Sequence, residues 1–146
     1  MIAQTIQLAL APVFMLVAIG NIMNLLSTRL GRVVDRSRAL QDVHMMTKGP
    51  EHDMVVLEIR AIARRIHLIT RAIFVLVLAG LAIGTTVAVL FLEEVAGLRL
   101  PLIAAAFFLL AVVLMMWGLV LFLAETRVAA NQLRIPKGYL ELEREL

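Results

Sequence analysis

The chain contains no cysteine. Disulfides, iron–sulfur clusters and thiolate zinc sites are thereby excluded. Aromatic residues make up only 5%, so the basic residues have no aromatic platform on which nucleic-acid bases could stack. No phosphate-cradling G-x-x-x-x-G-K, nucleophile elbow or catalytic carboxylate pair is present. The residues therefore give no support for catalysis, and the chain is read as a non-enzyme without a cofactor. Charge is missing from three long stretches, residues 6–26, 72–92 and 102–124. A hydrocarbon core of about 30 Å needs roughly 20 apolar residues of helix, so each stretch is long enough to span a bilayer.

What is present agrees with those gaps. The chain is 62% hydrophobic, with a mean hydropathy of +0.94, whereas soluble domains sit nearer 45–50% apolar. The fold class expected is an all-α integral membrane protein. Its three transmembrane helices form one membrane domain over residues 1–146. Residue 27–71 would form a long cytoplasmic antiparallel helical hairpin joining spans one and two, and residues 125–146 a cytoplasmic tail. The first span does not read as a cleaved signal peptide, because it lacks a basic leader and ends at polar Asn21 and Asn24.

The hairpin is inferred from two stripes that mirror each other across Gly49 and Pro50. Leu26, Leu30, Val33, Ser37, Leu40 and His44 step by four and three, as do Val55, Ile59, Ile62, Ile66, Ile69 and Ile73. That is the heptad spacing of helices packed along a seam, so a coiled-coil-like pairing is expected. Residues 45–53 read as the turn by composition. The first helix is expected to begin near Thr5, the second to run from Met54 to about Leu92, and the third to continue to about Leu133. Val34, Val56 and Ala63 widen the apolar face beyond two helices. The third helix or a second copy of the chain would cover it. Arg36 and Arg65 fall near each other on one flank, where Glu125 could offset their repulsion.

Charge placement gives an orientation. Nine Lys or Arg lie in residues 28–71, whereas the 93–100 loop has only Arg99, beside Glu93 and Glu94. Basic loops remain in the cytoplasm. The N-terminus and the 93–100 turn are thus expected outside, and the hairpin and tail inside.

Asn21, Thr28, Asp35 and Asp42 are spaced by seven, with Asn24 beside them, on the side of the first helix away from the seam. A polar stripe entering a bilayer calls for water, a partner helix or an aqueous axis. Hydration at the headgroups, an oligomer contact and pore lining all fit. Gly80 and Gly84 form a G-x-x-x-G suited to close helix packing. Arg29, Arg32, Arg64, Arg65, Arg71 and Arg127 gather near the inner surface. They serve either as the ordinary topology signal or as contacts for anionic lipid headgroups. His44, His52 and His67 match no metal-binding spacing, and no metal site is expected.

The segment NLLSTRLGRVVDRSRAL, residues 24–40, with Ala-Pro-Val-Phe at residues 11–14, resembles a small bacterial membrane-protein family, domain of unknown function 2721. The resemblance implies a multi-pass protein of the bacterial cytoplasmic (inner) membrane and assigns no activity or site residues. The function expected is a non-enzymatic, homo-oligomeric membrane assembly, with ion conduction along an axis lined by the first helix as one form of it. The alternative is an accessory or scaffolding subunit that docks a cytoplasmic protein through the hairpin. Membrane lipid is an expected partner in both cases, and nucleic acid in neither.

Overall fold

A computed structural model describes residues 2–97 and 99–132. They form α1 (Ile2–Met46), α2 (Pro50–Ala96) and α3 (Pro101–Gln132), with no strand among them. All three helices are long and apolar enough to cross a membrane. At 1.5 Å per residue, the 45 residues of α1 and 47 of α2 each reach about 70 Å, more than twice a hydrocarbon core.

The middle helix is α2, which packs on α1 and on α3, while α1 and α3 scarcely meet. Contacts advance along one helix as they retreat along the next, so neighbours run antiparallel. His44 meets His52, Arg36 meets Glu58 and Leu16 lies beside Gly80. On the other side Arg65 meets Glu125 and Leu76 lies against Gly118.

Both apolar stripes enter one core. Leu26, Val33, Leu40, Ile62 and Ile69 are buried there, with Leu30, Val55, Ile59, Ile66 and Ile73 packed against them. The same core continues through the uncharged runs as Ile19, Ala72, Leu76, Ala79 and Ile83. Val34 and Val56 are half-buried at its edge, whereas Ala63 is exposed.

The turn is shorter than composition suggests. Only Thr47, Lys48 and Gly49 separate the helices. Gly49 adopts φ 72°, a conformation that costs a residue without Cβ little. Pro50 can open α2 because the first helical N–H needs no partner, and Glu51 and Asp53 oppose the positive end of the helix dipole. These local signals start α2 four residues before the apolar periodicity resumes. At its other end α2 runs past Leu92 to Ala96, where Gly97 caps it in the left-handed region at φ 66°. Similarly, α1 begins at Ile2, ahead of Thr5, and carries Pro12 within it.

Over residues 102–124 the third helix is apolar on every side, as suits a helix surrounded by lipid and helices. Its buried face is chosen by size: Ala104, Ala111, Gly118 and Glu125 are the buried residues, each seven apart. Small residues let backbones approach in an apolar medium, where hydrophobicity alone cannot distinguish helix from lipid. The larger Leu102, Leu109, Val113 and Trp117 are exposed.

Candidate functional site

Glu125 has no exposed surface, although it carries a carboxylate. Burying an unpaired charge is very unfavourable, so its partners define the site. Arg29 of α1 places Nη2 2.7 Å from Oε2, and Arg65 of α2 donates through Nε to Oε1 at 3.0 Å. Arg29 also lies over the Phe122 ring, 5.2 Å from its centroid, and Arg65 Nη1 donates to Gln132 Oε1 at 3.4 Å. One carboxylate of α3 thus joins α1 and α2. It sits one residue beyond the charge-free run 102–124, where three helices leave their apolar segments together.

Above this cluster runs a groove of about 780 Å³ between the α1–α2 pair and the end of α3. Arg29, Arg32, Arg36 and Arg65 line it, over an apolar floor that includes Val33, Leu57 and Ile62. Arg36 is held by Glu58, with Nε and Nη2 donating to Oε1 at 2.9 and 2.8 Å. The expected closeness of Arg36 and Arg65 is therefore resolved by two carboxylates, Glu58 for the first and Glu125 for the second. Of the basic residues named from the sequence, Arg29, Arg32 and Arg65 come together here. Arg64, Arg71 and Arg127 are exposed and do not line the groove.

The polar stripe lies elsewhere. Asn21, Asn24, Thr28, Asp35 and Asp42 are all exposed on α1. Thr28 Oγ1 donates to the Asn24 carbonyl at 3.0 Å, and Asp35 approaches Arg38 only to 3.9 Å, both within α1. At the hairpin tip the His44 and His52 rings are 4.4 Å apart, but no group of three His, Asp or Glu side chains gathers among the described residues. A Cβ on Gly80 would meet Leu16 Cδ1 at 3.7 Å, an ordinary contact, and one on Gly84 would meet nothing within 4 Å. The close approach is at Gly118, where a Cβ would fall 2.9 Å from Leu76. The seven-residue spacing of Ala104, Ala111, Gly118 and Glu125 is the sequence signal for that face.

Three antiparallel helices of spanning length, tied by a buried charge cluster where the apolar runs end, define a multi-pass membrane protein. The chain belongs to the family described as protein of unknown function (DUF2721), which it matches over residues 9–135. No curated protein and no solved structure matches it.

Proposed function

We propose that this protein is a non-enzymatic membrane subunit that assembles with copies of itself through the open face of α1, and that ions pass along the axis this face lines. The observation that carries the reading is Asn21. It lies inside the charge-free run of α1, is exposed on the side away from α2, and shares that side with Thr28, Asp35 and Asp42. A side-chain amide facing hydrocarbon is unfavourable, and a neighbouring copy or an aqueous axis relieves it. α1 has room for such a neighbour, because α2 is its main packing partner among the described residues. By the charge rule the hairpin and tail face the cytoplasm of a bacterial inner membrane.

The test is assembly, then conductance. Asn21→Cys introduces the sole thiol of the chain. A short bifunctional thiol reagent should then link copies into a closed series in detergent and in vesicles. The wild type should pass current in planar bilayers, Asn21→Leu should reduce it, and Asp35→Asn should weaken cation preference, since rings of fixed charge select the permeant sign. A monomer without current ends this reading.

A second reading has its own observation. Met45, Met46 and Met54 are 80%, 84% and 72% exposed around the hairpin tip. Flexible, polarizable methionines suit a surface that docks another protein. In this reading the chain is an accessory or scaffolding subunit. Loss of a co-purifying protein on Met45→Ser/Met46→Ser, with assembly of the chain unchanged, favours it.

A further inference from the structure

We propose that the arginine groove is a binding site for the phosphate-bearing headgroup of an acidic phospholipid, with Arg29 and Arg32 as its anion contacts. The inference is independent of whether the chain assembles or conducts.

The first observation is charge. Arg29, Arg32, Arg36 and Arg65 line the groove, and Glu58 and Glu125 oppose them, which leaves a net +2 (four less two). The second is the placement of Arg29. Its Nε and Glu125 Oε2 are both buried without a hydrogen-bond partner among the described residues, yet the arginine side chain is 28% exposed and lines the groove. The exposed part of a guanidinium offers forked donors that match phosphate geometry. The third is Arg32, three residues along the same helix. It is exposed and its side chain makes no ion pair or hydrogen bond among the described residues.

Position selects lipid over a soluble phosphate. Arg29 is three residues beyond the end of the first charge-free run, Arg65 seven before the second, and Glu125 one beyond the third. At 1.5 Å per residue those offsets are roughly 2–10 Å, which is headgroup depth. Glu125 acts as a positioning residue, since it fixes Arg29 and Arg65; with Arg36 paired to Glu58, the net charge stays on Arg32 and on the Arg29–Arg65 pair that shares one carboxylate.

The test uses the purified full chain in a neutral detergent, titrated with phosphatidylglycerol or phosphatidylcholine and followed by thermal shift and by native mass spectrometry. Phosphatidylglycerol should raise the melting temperature and persist as a bound adduct, whereas phosphatidylcholine should not. Arg32→Gln should weaken phosphatidylglycerol about tenfold, the scale of one charge-assisted hydrogen bond. Arg32 is exposed, so this variant should keep the wild-type melting temperature without lipid. Arg60→Gln, an exposed arginine that does not line the groove, should bind as wild type. Equal weakening by both substitutions would reduce the effect to general surface attraction and overturn the site. Stabilisation by millimolar inorganic phosphate alone, lost with Arg32→Gln, would make the occupant a soluble anion and overturn the lipid assignment.

Discussion

Leu76 of α2 occupies the space that a side chain at position 118 of α3 would need. A Cβ built on Gly118 falls 2.9 Å from both Cγ and Cδ2 of Leu76 and 3.7 Å from the Ala72 carbonyl. Leu76 is itself fully buried and so has little freedom to move aside. Gly118→Ala should therefore destabilise the protein by about 1–3 kcal/mol through overpacking, despite the better helix propensity of Ala. Gly84→Ala, which meets nothing within 4 Å, should be neutral or mildly stabilising. Melting temperatures in one detergent compare the two, and equal effects would contradict the close α2–α3 contact.

Glu125 is the point at which all three helices depend on one residue. Glu125→Ala leaves Arg29 and Arg65, 28% and 21% exposed, without their shared anion. Breaking a buried ion pair from one side costs about 3 kcal/mol or more, and removing both charges together costs less. Glu125→Leu combined with Arg65→Met should hence melt higher than Glu125→Leu alone. A double variant no better than the single one would mean that Arg65 is not a main partner of Glu125.

How much of this was legible in the sequence depended on the kind of signal. The seam of α1 and α2 was readable because bulky Leu, Val and Ile recur against charged neighbours, and size and polarity agree there. Arg65 with Glu125 was readable as a charge needing a partner. Arg29 as the second partner was not, since that contact joins α1 to α3 and depends on how both lie on α2. The buried face of α3 was obscured for a physical reason: every side of that helix is apolar, so periodicity in hydrophobicity vanishes and only the small-residue spacing remains. The G-x-x-x-G of α2 drew attention to Gly80 and Gly84, whereas the tight contact is made by Gly118 facing Leu76.

The seam itself can be tested at Ile69, which is fully buried in the core shared with Leu26 and Val33. Ile69→Asp places an unpaired carboxylate among apolar side chains and should cost several kcal/mol. Ile62→Asp, at 3% exposure, should behave alike. Arg38→Ala should change stability by less than about 0.5 kcal/mol, because its side chain is 76% exposed and its one ion pair among the described residues is a loose 3.9 Å contact along α1. An Ile69→Asp protein that melts like the wild type would contradict the packed seam.

Orientation rests on charge and can be read with two substitutions. Lys48, in the turn between α1 and α2, and Ala96, the last residue of α2, stand at opposite ends of a 47-residue helix. That helix is about 70 Å long, so the two positions must lie on opposite sides of any membrane it crosses. Both are exposed and the chain has no cysteine of its own, so single Lys48→Cys and Ala96→Cys variants have no background thiol. Nine basic residues accompany the Lys48 side and one, Arg99, the Ala96 side. Such asymmetry holds the basic side in the cytoplasm. A membrane-impermeant maleimide applied to intact cells should therefore label Ala96→Cys alone, and lysis should add Lys48→Cys. Labelling of Lys48→Cys in intact cells would invert the protein. The hairpin and arginine groove would then stand outside the membrane, at the opposite leaflet.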